Sequence, residues 1–180
     1  TVTSMIAHAL VNNNFDPNFL IAGIPKKLKK SWNISNDEVF VIEADEYDTC
    51  YFDKRPKFFH YRPNILLINN IEFDHADIYE NIEMIEKNFI ELIKTMQTNS
   101  KVLINEKKVS KDFKNKLKKE KLKTALRFLS LNASNIHEEN KLLADYAIED
   151  LISKEKVLSD LDDYTGVKRR FETIFDDKNF

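Results

Sequence analysis

Short apolar runs separated by helical patterns constrain the fold of this 180-residue chain more than any other feature. The run VFVI covers residues 39–42, ILLI covers 65–68, and a shorter run, VLI, covers 102–104. Continuous runs of this length are typical of strands that are buried on both faces of a parallel sheet. Between the second and third runs, apolar residues recur at helical spacing from about 79 to 98. This order predicts an α/β fold with a mainly parallel sheet flanked by helices.

The segments around these runs predict the remaining elements. The first fifteen residues have the pattern of an amphipathic helix, whereas residues 16–38 look irregular because Pro17, Gly23 and Pro25 interrupt them. Residues 48–64 are aromatic and basic, and they predict a connection that contains a short helix. Further along, the patterns predict a lysine-rich helix within 107–123, a strand at 126–131, helices at 140–152 and 154–164, and a strand at 171–175.

Composition restricts the class of protein. The net charge is −2, so there is no electrostatic case for non-specific binding to nucleic acid. No apolar run approaches the roughly 18 residues that a membrane-spanning helix needs, so no membrane association is expected. The single cysteine, Cys50, suits a reducing compartment, where it is expected to fill space in the core. These features predict a cytoplasmic protein.

Polar clusters follow the two longest apolar runs. Residues 43–48 read EADEYD, with four carboxylates in six positions, and residues 69–77 read NNIEFDHAD. Ligands of parallel sheets gather at the carboxyl ends of the strands, where a carboxylate from one cluster and an imidazole from the other could share a cation. Mg²⁺ suits this arrangement because it takes one or two protein ligands together with substrate phosphates. Solvated loops and a structural histidine are the alternative interpretation.

The same clusters carry a resemblance to a known family. EADEYD, then FDKR-x-KF-x-HY-x-P, then NN-x-EFDHADI resembles the central domain of the Mur ligase family over residues 39–97. At the ends, TVTSM resembles the helix after the family's phosphate loop and GVKRRFE its late arginine motif. The resemblance implies a P-loop-type central ATP-binding domain over 1–175 with a tail at 176–180. It also implies that the phosphate loop and the N-terminal UDP-binding and C-terminal amine-binding domains are absent from this chain.

The resemblance implies roles for particular residues. Glu43 matches the glutamate that binds Mg²⁺ beside the ATP phosphates, and His75 matches the histidine of a second Mg²⁺. Asn70 matches an asparagine next to the nucleotide, and Arg170 an arginine that approaches the phosphates and supplies forked donors. Glu43, His75 and Arg170 are therefore the expected catalytic residues.

A weaker match concerns the base of the nucleotide. His137 and Asn140 resemble the family's HNxxN element, which faces adenine, although this chain has a histidine with one asparagine three residues on in place of the pair of asparagines. The alternative is that Asn140 caps a helix.

The activity implied is that of an ATP- and Mg²⁺-dependent ligase of peptidoglycan recycling. Such an enzyme joins UDP-N-acetylmuramate to the tripeptide L-alanyl-γ-D-glutamyl-meso-diaminopimelate through an acyl phosphate. Two alternatives remain open at this point. One is a non-catalytic binding module that keeps the fold, and the other is the ligase that adds L-alanine to UDP-N-acetylmuramate. In either enzyme the metal would hold ATP.

Overall fold

A computed structural model describes residues 1–44, 46–73 and 78–169 of the chain. The chain divides into two compact units. The first unit combines Thr1–Glu43 with the chain from Asn140 onward, and the second is the continuous segment Ala44–Glu139. Of the described helices, none is both long and apolar enough to cross a membrane.

A parallel three-stranded sheet forms the centre of the second unit. Its strands, in spatial order, are β6 (Ile65–Ile68), β7 (Lys101–Asn105) and β8 (Ala125–Leu129). Helix α2 (Ile82–Thr95) connects the first pair and α3 (Lys111–Lys119) the second, as parallel pairing requires. The predicted parallel sheet flanked by helices is therefore confirmed in this unit.

The two helices begin where the sequence provides caps. The Asn81 side chain accepts a hydrogen bond from the Met84 backbone at 3.1 Å, and Ser110 accepts one from the Phe113 backbone at 2.9 Å. The Ser110 hydroxyl also donates to the buried Glu86 carboxylate at 2.6 Å, which ties the start of α3 to α2. Their apolar faces cover the sheet with fully buried side chains, among them Phe113, Leu117 and Ile93.

A small hairpin precedes this sheet in the second unit. Strands β4 (Asp48–Cys50) and β5 (Asp53–Pro56) pair antiparallel, and a 3₁₀ helix follows at Lys57–His60. The predicted short helix is confirmed, but the hairpin was not predicted because its sequence lacks apolar alternation. Cys50 is exposed, so the expectation that it fills space in the core is wrong.

The first unit contains a second three-stranded sheet that packs on α1 (Val2–Asn12). Its strands, in spatial order, are β2 (Trp32–Asn33), β1 (Asn18–Leu20) and β3 (Phe40–Ile42). Strand β3 runs parallel to β1 and ends the described pairing on that side. Two predictions are therefore wrong. Residues 16–38 contain two strands, and β3 is an edge strand with Phe40 60% exposed rather than a strand buried on both faces.

Two helices in the C-terminal half lie close to their predicted ranges. Helix α4 covers Ile136–Ile148 and α5 covers Lys154–Asp162. Asn135 caps α4, because its Oδ1 accepts from the Glu138 backbone at 2.9 Å. The alternative that Asn140 caps this helix is wrong, since Asn140 lies inside it. The strand predicted at 171–175 falls outside the described residues.

Candidate functional site

Glu43 lies directly after β3, where the sequence predicts a metal ligand. Its backbone N–H donates to the Leu20 carbonyl at 3.0 Å and so extends the pairing of β3 with β1. Its Oε2 accepts a hydrogen bond from the Ala22 backbone at 2.7 Å, and Oε1 lies 3.9 Å from the nitrogen of Thr1, the residue before α1. The carboxylate therefore lies between the loop after β1 and the start of α1, where it contacts one backbone N–H and lies near the Thr1 nitrogen.

Two of the other residues in the EADEYD cluster have contacts of their own, Asp48 through its carboxylate and Glu46 through its backbone carbonyl. Asp48 pairs with Lys54 at 2.8 Å, and the Glu46 carbonyl accepts a hydrogen bond from the Tyr79 hydroxyl at 2.7 Å. Asp45 falls outside the described residues. Among the residues that the structure describes, no three His, Cys, Asp or Glu side chains form a group that could hold a metal ion. The charge of Asp48 is thus balanced by a lysine.

The second predicted metal ligand and the phosphate-binding arginine cannot be located. His75 and Arg170 both lie outside the described residues, so the expected pairing of His75 with Glu43 stays a prediction. One premise of that prediction is corrected, however. Strand β3 belongs to the sheet of the first unit and β6 to the sheet of the second, whereas a common sheet was expected.

A polar cluster lies at the carboxyl ends of β6 and β7, within the second unit. Asn105 ends β7 and is fully buried. Its Nδ2 donates to Glu139 Oε1 at 2.6 Å and to Asn69 Oδ1 at 3.4 Å. Lys108 Nζ lies 3.7 Å from Glu139 Oε2. These four side chains connect the ends of two parallel strands to the first turn of α4, at the edge of the sheet where ligands bind in this class of fold.

Three of the sequence-predicted residues belong to segments at or beside this cluster. Asn70 follows Asn69 directly and is exposed. His137 is exposed in the first turn of α4, two residues before Glu139, and the buried Asn140 follows Glu139 in the same helix. The fold therefore brings the segments of Asn70 and His137, 67 positions apart in the chain, to one edge of the sheet. Asn105 and Glu139 were missed because no motif marks them. Their only signal is that Asn105 directly follows the strand predicted at 102–104 and Glu139 directly precedes the helix predicted at 140–152.

Residues of the FDKR and HY motifs contact one another where the hairpin is followed by the 3₁₀ helix. Arg55 donates to Asp53 through Nε at 2.8 Å and Nη2 at 2.7 Å, and His60 Nε2 lies 3.1 Å from Asp53 Oδ2. The Arg55 guanidinium holds the pKa of the Asp53 carboxyl well below its usual range. These groups form a compact charged network on the surface of the second unit.

Comparison with known proteins identifies the family. The model of the Mur ligase middle domain matches residues 1–156. The chain belongs to the Mur ligase family. A Mur ligase of Haemophilus influenzae, named UDP-N-acetylmuramate–L-alanyl-γ-D-glutamyl-meso-2,6-diaminoheptandioate ligase, is 44% identical over 103 residues. That alignment includes 57% of this chain and 23% of the Haemophilus protein.

Two further Mur ligases cover more of the chain. A UDP-N-acetylmuramate–L-alanine ligase of Fusobacterium nucleatum is 28% identical over 209 aligned positions, which include 98% of this chain and 43% of that protein. The crystal structure of a UDP-N-acetylmuramate:L-alanyl-γ-D-glutamyl-meso-diaminopimelate ligase from Neisseria meningitides superposes with a TM-score of 0.82 at 27% identity. It covers 93% of this chain and 63% of the solved chain. The chain thus spans less than two thirds of the relatives it matches, and the predicted family and fold are confirmed.

Proposed function

We propose that this Mur ligase chain is part of an ATP-dependent enzyme that joins UDP-N-acetylmuramate to L-alanyl-γ-D-glutamyl-meso-diaminopimelate. The observation that carries the proposal is the 44% identity to the Haemophilus tripeptide ligase over 103 residues. The proposal extends to ATP and Mg²⁺ as the cofactors and to the cytoplasm as the location. UDP-N-acetylmuramate and the murein tripeptide are the proposed substrates.

The environment of Glu43 fits a magnesium ion. A carboxylate offers about four lone-pair positions, and the Ala22 N–H uses one of them. The side chain is 27% exposed, so its oxygens are accessible to a cation and to the phosphates that accompany it. Hard oxygen ligands are those that Mg²⁺ prefers. We therefore assign Glu43 to the metal, with His75 as the second proposed ligand.

The metal and ATP would supply charge neutralisation and the phosphoryl group: the muramate carboxylate would take the γ-phosphoryl group as ADP leaves, and the peptide amine would then displace phosphate to form the amide. The residues of this chain then have simple roles. Glu43 would hold the cation at the end of β3, next to the start of α1. Arg170 donates to phosphate oxygens. Asn70, His137 and Asn140 are assigned to the nucleotide, where amide and imidazole groups can bond the base.

A second candidate is the ligase that adds L-alanine to UDP-N-acetylmuramate. It is favoured by the Fusobacterium relative, whose alignment includes 98% of this chain at 28% identity. Both candidates share the acyl phosphate chemistry and the same roles for Glu43 and Asn70, and they differ in the amine that attacks.

The experiment is a ligation assay with the full-length protein, UDP-N-acetylmuramate and Mg·ATP, in which either the tripeptide or L-alanine is the amine. Product formation and phosphate release with the tripeptide alone are expected. A preference for L-alanine would replace the first candidate by the second. A non-catalytic module forms no product with either amine in this assay. Calorimetric titration with Mg·ATP then shows whether such a module still binds the nucleotide.

The Glu43→Gln variant tests the metal assignment. We expect kcat/KM to fall roughly 100-fold or more, since a neutral amide binds Mg²⁺ poorly and loses several kcal/mol of charge stabilisation. The Mg²⁺ concentration for half-maximal activity should also rise. Glu83→Gln is the matched control, because Glu83 is an exposed acid in the first turn of α2. Equal activity of the two variants would exclude Glu43 as a metal ligand.

A further inference from the structure

Asn105 occupies an unusual position for a polar side chain. It is 0% exposed and ends β7, the central strand of the parallel sheet in the second unit. The neighbouring buried positions of the strand, Val102 to Ile104, are all apolar. A buried carboxamide at this point therefore needs its own explanation.

Chemistry fixes the orientation of the Asn105 amide. A carboxylate only accepts hydrogen bonds, so the 2.6 Å contact with Glu139 Oε1 must come from the Asn105 NH₂ group. The carbonyl Oδ1 then points away, and it is buried with no hydrogen-bond partner in the described part of the chain. An unsatisfied buried acceptor costs about 1–3 kcal/mol. Because this arrangement lowers stability, a purpose other than stability is expected for Asn105.

The contacts of Asn105 converge on Asn70. Asn69, which accepts from Asn105, comes directly before Asn70. Ile71, which follows Asn70, donates its backbone N–H to the Lys108 carbonyl at 3.2 Å. Asn70 is thus held from both sides, although its own side chain is exposed.

The same groups hold the start of α4. Asn105 and Lys108 both contact the Glu139 carboxylate, one at each oxygen. Glu139 also donates its backbone N–H to the Asn135 carbonyl at 3.0 Å, inside the first turn. The turn that carries His137 is therefore attached to the same two residues as the segment that carries Asn70.

We propose that Asn105 is a positioning residue for the nucleotide. Its side chain holds the segment of Asn70 and the first turn of α4 in a fixed relative position, so that Asn70 and His137 present their polar groups to one ligand. Asn105 itself is fully buried and does not touch the ligand. The inference rests on the proposed function for the identity of the ligand as a nucleotide. The relative position of the Asn70 segment and the first turn of α4 can be measured with no nucleotide present.

The first experiment measures the order of Asn70 by ¹⁵N relaxation, with no nucleotide present. In the unmodified protein the Asn70 backbone should be rigid, with an order parameter of about 0.85, and in Asn105→Ala it should fall below about 0.6. Ser100→Ala is the matched control, because Ser100 is a buried polar residue just before the opposite end of β7. An unchanged order parameter in Asn105→Ala, or an equal loss in Ser100→Ala, would overturn the proposal.

The second experiment reverses the hydrogen bond between Asn105 and Glu139. Asn105→Asp alone places two carboxylates in contact, and the KM for ATP should rise about 10-fold while kcat changes less. Adding Glu139→Gln restores a donor and an acceptor in opposite order, and Asn69 can turn its amide to donate. The double variant should return to within about 3-fold of the original KM. Absence of this rescue, in a folded double variant, would contradict a positioning role.

The two experiments separate the possible failures. If the protein does not bind ATP, the proposed function fails, and the relaxation measurement still decides the role of Asn105. If Asn105→Ala does not fold, Asn69→Ala removes the partner at the less buried end of the contact and should loosen Asn70 in the same measurement. A rigid Asn70 in that variant counts against the proposal.

Discussion

A buried carboxylate in α4 provides the sharpest test of the electrostatics of the first unit. Asp145 is 3% exposed, and its Oδ1 has no hydrogen-bond partner within the described residues. Burial raises the pKa of the Asp145 carboxyl, Lys154 opposes the rise, and Glu149 and Glu155 add to it. We predict that Asp145→Asn, which removes the charge and keeps the shape, increases the free energy of unfolding at neutral pH.

The magnitude follows from burial. A buried polar group without a partner costs about 1–3 kcal/mol, and the neutral amide still pays part of that cost, so a gain of about 1 kcal/mol is expected at pH 7. The sign depends on pH. Burial raises the pKa of the Asp145 carboxyl in the folded protein, so protonated Asp145 favours folding. This contribution to stability is present below the pKa of the unfolded chain, about 3.9, and is lost as the pH rises through the pKa of the folded protein. The advantage of the variant should therefore disappear below about pH 4.

The assay is urea denaturation of the Asp145→Asn variant and the unmodified protein between pH 3.5 and 7, with the midpoint and slope fitted at each pH. Asp162→Asn is the control in the same unit, since Asp162 is 77% exposed and pairs with Lys141. That variant should lose at most about 1 kcal/mol. An Asp145→Asn variant that is less stable than the unmodified protein at pH 7, or a difference independent of pH, would refute the reasoning.

Two further predictions concern local structure. Asn135→Ala should lower the free energy of unfolding by about 1 kcal/mol because α4 loses its cap, whereas the exposed Asn132→Ala should be neutral in the same denaturation assay; equal effects would contradict the capping role. Gly23→Ala should cost about 2–3 kcal/mol, since Gly23 has φ +116° and an added Cβ would lie 2.8 Å from Val167 Cγ1. Gly166→Ala, at φ +87° with no atom within 4 Å of the added Cβ, should cost less, and the reverse order by differential scanning calorimetry would show the contact to be unimportant.

Sequence patterns located the parallel strands and the connecting helices of the second unit well, because their apolar residues form continuous runs or recur at helical spacing, but the patterns did not indicate the hairpin β4–β5. Strand β6 has the predicted bounds, and α2 lies inside its predicted range. In the first unit the strands are two or three residues long, too short for any periodicity to appear. The run at 39–42 predicts a strand buried on both faces, whereas β3 pairs only with β1 among the strands in the described part of the chain. An apolar run does not tell how many neighbours a strand has.

The candidate site was only partly predictable. Glu43 and Asn70 could be chosen because they lie in the motifs EADEYD and NNIEFDHAD, which follow predicted strands and carry the resemblance to the Mur ligases. Asn105 and Glu139 could not, since their importance depends on a contact between β7 and α4 across 34 positions of the chain. A hydrogen bond between distant segments leaves no local signal, and only the folded arrangement shows it.

The way in which the chain divides has a consequence for how it is made. The unit that covers Ala44–Glu139 is one uninterrupted stretch, so all strands of its sheet have been synthesised before residue 140 is added. The other unit is completed later, because the Ser4 hydroxyl hydrogen-bonds to the Tyr164 hydroxyl at 2.5 Å and α1 packs on α5. Helix α1 can therefore pack on β3 early, whereas the side of α1 that packs on α5 stays uncovered, and accessible to chaperones, until residues 154–162 have been synthesised.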